Sequence, residues 1–184
     1  MINLERKYSR IGAIELAEDR QGLQLGIEGY ASLFGVPDQG GDVVQPGAYR
    51  ASLDRLKAAN GSVKMLWQHD PLQPIGVWEN VHEDDRGLYV KGRLLPDVPR
   101  AAEAASLLKA GAMDGLSIGY RTVKATKNDQ GQRLLHELDL WEVSLVTFPM
   151  LSEARIGAKS EMPDDTLSQV AHALTAARVS LARL

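Results

Sequence analysis

Alternating apolar and polar residues occur along most of this chain, and a period of two is typical of β-strands. Leu23, Leu25 and Ile27 alternate with polar residues and glycine, and the pattern continues to Phe34. Similar strand-like segments follow at 63–69, 75–81, 87–95, 116–124 and 133–147. The opening residues, up to about Gln21, are polar and mixed, so they predict only a weakly specified strand or arm.

Two helices are predicted between the strands. The segment 48–59 has a helical pattern and ends near Asn60-Gly61. Asp97 is expected to cap a second, alanine-rich helix that runs to about Lys109. Turn residues join most of the strands directly, which favours hairpins over helical crossovers. The pattern therefore predicts an α+β fold, in which a mostly antiparallel sheet or barrel is surrounded by helices.

The end of the chain has a different pattern. Residues 160–165 form a polar segment that contains a proline, and the apolar residues of 166–184 recur at alternating spacings of three and four. This spacing is typical of an amphipathic helix with a short heptad seam. We therefore expect residues 1–159 to form one domain and residues 160–184 to form a linker and a C-terminal helix. That helix either packs on its own domain or docks to a partner.

The composition excludes several classes of protein. The length of 184 residues suits one domain with a short appendage. The 21 Lys and Arg against 24 Asp and Glu leave a net charge of −3, which argues against a dedicated nucleic-acid-binding protein. Neither a transmembrane segment nor a secretory signal is expected, since no apolar run approaches roughly 18 residues. The absence of cysteine excludes disulfides, cysteine nucleophiles and thiolate metal sites.

One serine lies in a G-x-S-x-G motif at 115–119. In α/β-hydrolases this motif joins a strand to a following helix, but here a predicted helix precedes the serine and a predicted strand follows it. That order argues against a hydrolase elbow and leaves Ser117 as a candidate nucleophile on a strand. Strand alternation would place Ser117, Gly119 and Arg121 on one face, where Gly119 would leave room for a substrate backbone.

A serine hydroxyl needs a neighbouring base to act as a nucleophile at neutral pH. The chain has four histidines, and His69, His82 and His136 are the candidates for that base. The same three histidines, even with Asp70 or Asp42, lack the short ligand spacing of a zinc site. No metal ion or cofactor is therefore expected.

Glu142 lies within an otherwise apolar strand pattern at 140–146. A carboxylate is costly to bury unless it is paired or hydrogen-bonded. Glu142 is therefore either an outward-facing residue of an edge strand or the acid that orients a catalytic histidine. The residues alone leave both alternatives open.

An ordered set of short blocks gives the chain its resemblance to a known family. These blocks are Gly29-Tyr30-Ala31, Gly41-Asp42-Val43-Val44, Pro46-Gly47-Ala48-Tyr49, Leu66-Trp67-Gln68-His69-Asp70, Pro74-Ile75-Gly76, Gly87-Leu88, Gly92-Arg93-Leu94, Gly115-Leu116-Ser117-Ile118-Gly119-Tyr120, Trp141-Glu142-Val143-Ser144-Leu145-Val146-Thr147 and Ala154-Arg155-Ile156. In order and spacing, over about residues 25–157, the chain resembles the prohead (capsid maturation) proteases of tailed bacteriophages. No single block is decisive, but the ordered set is specific.

The resemblance implies a serine endopeptidase with a fold like that of the herpesvirus assemblins, a mostly antiparallel β-barrel wrapped by helices. It maps the nucleophile onto Ser117 and the general base onto His69. Glu142 is the best match for the third member, where the herpesvirus relatives have a second histidine.

The mechanism expected on this basis is acyl transfer to Ser117. Backbone N–H groups would hold the oxyanion, and Arg121 or Arg155 would assist through a charge-assisted contact. Gly119, Arg121 and Arg155 are therefore the expected oxyanion or substrate-binding residues. Of these, Arg121 is placed only by strand alternation.

The resemblance also implies a biological setting. The expected substrate is the scaffolding segment of the major capsid protein, inside a procapsid in the bacterial cytoplasm, and self-cleavage and self-association are expected as well. Two other classes of function stay open. One is a catalytically silent capsid-assembly or scaffolding protein of the same fold, and the other is a small serine esterase with the same Ser and His.

Overall fold

The computed structural model describes residues 5–10, 13–19, 22–38 and 40–147. In chain order the strands and helices of this part are β1 (Glu5–Arg10), β2 (Ala13–Asp19), β3 (Gly22–Leu33), β4 (Asp42–Val44), α1 (Arg50–Ala58), β5 (Lys64–Trp67), β6 (Asp70–Glu83), β7 (Gly87–Leu94), α2 (Pro99–Lys109), β8 (Gly115–Lys127) and β9 (Arg133–Val146). Within these ranges, neither helix has the length and hydropathy to cross a bilayer. The helix expected within 160–184 lies outside the described residues.

The strands form one curled sheet in the order β1-β8-β9-β5-β6-β7-β3-β2, and β4 pairs with β9 beside this path. Most neighbouring strands are antiparallel, but β4 and β5 each pair with β9 in parallel. The edge strand β1 also approaches β3, so the sheet curls into a half-barrel. The predicted α+β class with a mostly antiparallel sheet is confirmed, whereas the two parallel pairs were not predicted.

Several element boundaries differ from the sequence pattern. Strand β5 ends at Trp67, before His69, and β6 begins at Asp70 rather than near Ile75. The N-cap of α2 is Val98 in an extended conformation, so Asp97 does not cap this helix. The short strand β4 lies where no strand was expected, because its partner is a distant segment of β9 that the local pattern does not reveal.

The hydrophobic core lies between the sheet and the helices. Leu116, Ile118 and Tyr120 of β8 are buried in it, on the face that alternation predicted. The intervening residues of β8 from Gly115 to Tyr120 are buried as well, so this stretch is enclosed on both faces. Ser117 therefore lies in the interior of the protein, on the face opposite the core residues.

Helix α1 is attached to the sheet through its first residues. The backbone N–H of Tyr49 donates to Oε1 of Glu83 in β6 at 2.8 Å. The backbone N–H of Leu140 in β9 donates to Oγ of Ser52 at 2.9 Å. Tyr49 is fully enclosed at this junction, and its burial raises the pKa of the phenol. These contacts fix α1 to β6 and to β9, and β9 also carries part of the candidate site.

Candidate active site

Ser117 lies on β8, directly opposite Ser144 of β9 in the antiparallel register. Its side chain has no exposed surface. The Oγ atom lies 2.6 Å from Nε2 of His69, which is a short hydrogen-bond distance. The structure thus brings the candidate nucleophile into contact with one of the three candidate bases.

His69 is placed by a turn that follows β5. Gln68 and His69 both have positive φ, 51° and 63°, in the left-handed region that costs most residues about 1–2 kcal/mol. The N–H of Gln68 donates to the carbonyl oxygen of Leu145 at 3.0 Å. The N–H of His69 donates to Oγ of Ser144 at 3.1 Å. Two hydrogen bonds to β9 therefore hold a backbone conformation that the strand pattern did not predict.

Glu142 points into the protein and not outward. It is 4% exposed, so the alternative of a solvent-facing residue on an edge strand is wrong. Its Oε1 lies 2.5 Å from Nδ1 of His69, and its Oε2 accepts a hydrogen bond from Oγ of Ser144 at 2.5 Å. Both carboxylate oxygens are hydrogen-bonded, which is the condition under which a buried carboxylate is tolerated.

The three side chains form one continuous series of hydrogen bonds. A carboxylate accepts hydrogen bonds only, so Nδ1 of His69 carries the proton that faces Glu142. Nε2 is then unprotonated and accepts the hydrogen bond from the hydroxyl of Ser117. This is the tautomer that a general base needs, and the arrangement has the geometry of a serine nucleophile, a histidine base and an orienting acid.

Gly119 has a different role from the one expected. It lies opposite Glu142 in the β8–β9 register. A Cβ atom at this position would lie 2.1 Å from Oε1 of Glu142 and 2.9 Å from its Cγ. The space beside Gly119 is therefore occupied by the carboxylate and not by a substrate backbone.

Arg121 is paired with an acidic residue of β9. Its guanidinium donates to Asp139 at 3.1 Å, and its side chain is 56% exposed. The β8–β9 register shifts between Gly119 and Tyr120, so strict alternation does not carry the site past Gly119. The expectation of an oxyanion contact from Arg121 is not supported by its position. Arg155 lies outside the described residues.

Asp139, near the middle of β9, accepts hydrogen bonds from two arginines. The second of these comes from Arg55 of α1, at 3.0 Å. Partial burial on its own would raise the pKa of Asp139, but hydrogen bonds from Arg55 and Trp141 and the charges of Arg55 and Arg121 outweigh it. The pKa of Asp139 therefore lies below its usual value, and the cluster links α1 to β8 and β9.

The other candidate bases lie elsewhere. His82 is exposed and its Nδ1 lies 3.0 Å from the side-chain oxygen of Asn80. His136 contacts Oγ1 of Thr126 through Nε2 at 2.8 Å. Within the described ranges, no group of three or more potential ligands is placed to hold a metal ion.

Ser144 is a residue of this site that the sequence reasoning missed. It lies two positions after Glu142 on the same strand, and residues two apart in a strand share a face. The same alternation that grouped Ser117 with Gly119 would therefore have grouped Ser144 with Glu142. Ser144 is fully buried and contacts both Glu142 and the backbone of His69.

Comparison with known proteins gives sequence and structural relatives. Residues 13–169 match the family model described as caudovirus prohead serine protease. The chain is 33% identical over 144 residues to the prohead protease of Enterobacteria phage HK97, and the aligned region covers 77% of this chain and 61% of that protein. It is 29% identical over 161 residues to the capsid polyprotein of Pseudomonas phage PAJU2, and here the aligned region covers 82% of this chain and 22% of that protein.

A solved structure has a similar fold. The bacteriophage T4 capsid assembly protease, gp21, aligns with a TM-score of 0.65 over 78% of this chain and 96% of that chain. The identity is 18%, so this similarity concerns the fold alone. The chain spans 61% and 22% of the lengths of the two sequence relatives, which is less than two thirds of either.

Proposed function

This chain belongs to the family of caudovirus prohead serine proteases, and on that premise we propose that it is a serine endopeptidase with Ser117, His69 and Glu142 as its catalytic triad. The observation that carries the proposal is the unbroken series of hydrogen bonds from Oγ of Ser117 through both ring nitrogens of His69 to Glu142. The sequence blocks that carry the family resemblance contain the same three residues.

The proposed reaction begins with attack of Ser117 Oγ on the carbonyl carbon of a peptide bond. Nε2 of His69 takes the hydroxyl proton as the new C–O bond forms, which leaves an oxyanion and an imidazolium. The imidazolium then gives its proton to the leaving amine as the C–N bond breaks. Water attacks the resulting acyl-enzyme with His69 again as the base, which releases the acid product and restores Ser117.

Glu142 acts on this reaction through His69. Its carboxylate fixes the ring with Nδ1 protonated and stabilises the positive charge that forms on the imidazolium. Because Glu142 is 4% exposed and His69 is 7% exposed, water screens their interaction only weakly. The carboxylate is therefore already in place, within hydrogen-bond distance of the imidazole, when the proton moves.

The oxyanion contacts of the proposed mechanism are backbone N–H groups, with Arg155 as the candidate side chain. Arg121 has no part in the proposed oxyanion site, because its guanidinium is bound to Asp139. Donors that are fixed in advance and aimed at developing charge account for a large part of the catalysis in acyl transfer.

The proposed substrate is the scaffolding segment of the major capsid protein in a procapsid, with self-cleavage and self-association as further expectations. The names of the relatives support this: one is a prohead protease, one a capsid polyprotein and one a capsid assembly protease. We also retain an assemblin-like architecture as part of the proposal, since the curled and mostly antiparallel sheet is consistent with it.

The direct test is co-expression of this chain with the major capsid protein encoded beside it, with wild type compared to Ser117→Ala. Intact-mass spectrometry would be used for both proteins. We expect the capsid protein to lose a terminal segment only with wild type. Identical capsid masses with both variants would contradict the proposal and favour a silent assembly protein. Turnover of simple esters with no peptide cleavage would instead favour an esterase.

A further inference from the structure

Ser144 makes two hydrogen bonds that connect the acid of the triad to the backbone of its base. Its Oγ donates to Oε2 of Glu142 at 2.5 Å, since a carboxylate offers no proton in return. The same oxygen accepts the backbone N–H of His69 at 3.1 Å. The hydroxyl therefore binds the carboxylate oxygen of Glu142 that does not contact the imidazole.

These contacts close a ring of hydrogen bonds. It runs from Oγ of Ser144 to Oε2 of Glu142, through the carboxylate to Oε1, on to Nδ1 of His69, and through the His69 side chain to its backbone N–H and back to Ser144. Each member of the ring is at least nine-tenths buried. One hydroxyl thus fixes both ends of the His69 residue relative to the same carboxylate.

The backbone of His69 needs such a contact. Gln68 and His69 both adopt left-handed conformations, which residues with side chains rarely adopt without support. His69 lies two residues after Trp67, the last residue of β5, so its N–H lies beyond the hydrogen-bonded end of that strand. Without the hydroxyl of Ser144, this N–H and Oε2 of Glu142 would each lose a partner in a buried site.

We propose that Ser144 is a positioning residue of the triad, which acts through Glu142 and the His69 backbone and takes no part in bond making or breaking. This inference rests on the proposed function, since it assigns Ser144 a role in activating Ser117. Loss of the hydroxyl leaves Glu142 and the imidazole free to rotate away from Ser117. A misplacement of about 1 Å at a reacting group lowers a rate by roughly 100-fold.

The test measures phosphonylation of Ser117 by a fluorophosphonate in the full chain, because this probe reads nucleophile activation without a known cleavage site. The inactivation rate constant and the apparent binding constant of the probe are determined separately. For Ser144→Ala we expect the rate constant to fall by about 10-fold to 100-fold with an unchanged binding constant. Ser144→Cys leaves no cavity and keeps a weak donor on a slightly larger atom, so it should give an intermediate rate and serves as the second variant if the alanine variant does not fold.

Ser52→Ala is the matched control. Ser52 is also buried, and its Oγ also accepts a hydrogen bond from the backbone of β9, at Leu140. It makes no contact with the triad among the hydrogen bonds of the described residues. The control variant should therefore lose thermal stability but keep the wild-type rate constant.

A merely structural role for Ser144 would have the same effect in any background. A positioning role that acts partly through Glu142 predicts that Ser144→Ala lowers the rate constant by a smaller factor when Glu142 is already Gln, and the loss that remains comes from the contact with the His69 backbone. A wild-type rate in Ser144→Ala, or the same loss in both backgrounds, would overturn the proposal and leave the protease function intact. A wild-type chain in which Ser117 does not react would overturn the proposed function and this inference with it.

Discussion

At position 119 the fold requires a residue without a side chain because Glu142 occupies the adjacent space. A Cβ atom there would lie 2.1 Å from Oε1 of Glu142. We therefore expect Gly119→Ala to displace the carboxylate, lower cleavage by roughly 100-fold and lower the free energy of unfolding by about 1–3 kcal/mol. Cleavage of the co-expressed capsid protein over time and urea unfolding would measure the two effects.

Gly61→Ala is a suitable comparison for that variant. The nearest atom to an added Cβ there is the flexible end of the Leu56 side chain, at 3.2 Å. Its cleavage rate should match that of wild type. Equal rates for Gly119→Ala and Gly61→Ala would show that the carboxylate position does not matter for the reaction.

Glu142→Gln keeps the shape of the side chain but removes its charge. Ser117→Ala and His69→Ala should each lower the cleavage rate by about 10⁴-fold or more. Glu142→Gln should cause a smaller but clear loss, because an amide orients the ring less well and does not stabilise the imidazolium. Quantifying the released segment over time by mass spectrometry would rank the three variants. A wild-type rate for Glu142→Gln would remove it from the triad.

The residues of the site were predictable to different degrees. The residues alone gave Ser117 as a candidate nucleophile but left three histidines and both alternatives for Glu142 open, and the family blocks then selected His69 and Glu142. The role of Gly119 was not predictable, since it depends on which residue lies opposite it. Ser144 was predictable from its position two residues after Glu142, since residues two apart in a strand share a face.

Among the elements, helix α1 depends on a carboxylate from a distant strand. Glu83 accepts the backbone N–H of Tyr49 at 2.8 Å, and its side chain is 7% exposed. Glu83→Ala should lower the free energy of unfolding by about 1–3 kcal/mol, because it leaves that N–H without a partner. Urea unfolding would measure the loss, and Glu79→Ala, at a half-exposed side chain of the same strand, is the control. Equal stabilities would contradict the role of Glu83.

The Arg121–Asp139 pair predicts a pH-dependent contribution to stability. The pKa of Asp139 is lowered in the folded protein, so its contribution is full above the unfolded value of about 3.9 and is lost as the pH falls through the folded value. Arg121→Gln should therefore cost less than about 1 kcal/mol at pH 7 and progressively less below about pH 4.

Urea unfolding at several pH values would follow this contribution. Because Arg121 is bound to Asp139 on the surface, Arg121→Gln should also cleave the capsid protein at the wild-type rate. A loss of cleavage of 100-fold or more in this variant, with stability unchanged, would reinstate Arg121 as an oxyanion residue.

Element type was more predictable than element pairing. The alternation at 87–95 and 116–124 corresponds to β7 and β8, since local side-chain periodicity follows from the strand itself. The parallel pairing of β5 with β9 and the left-handed turn at His69 were not predictable, because both depend on contacts between segments far apart in the sequence. The C-terminal helix expected within 160–184 stays a prediction.

For the molecule as a whole, the site exists because β9 lies between β8 and β5 in the sheet. Strand β8 contributes Ser117, the turn after β5 contributes His69, and β9 contributes Glu142 between them. The sequence predicted the family and the α+β class with a mostly antiparallel sheet, and these are confirmed, whereas the assemblin-like architecture stays a proposal. The strand order, which decides that these three segments meet, required the structure.

The measurement that tests this arrangement most directly is fluorophosphonate labelling of the chain co-expressed with its capsid protein, with the adduct located by mass spectrometry. We predict a single adduct on Ser117, no adduct in Ser117→Ala, and labelling slowed by at least about 1,000-fold in His69→Ala. An adduct on another residue, or equal labelling of wild type and His69→Ala, would contradict activation of Ser117 by His69.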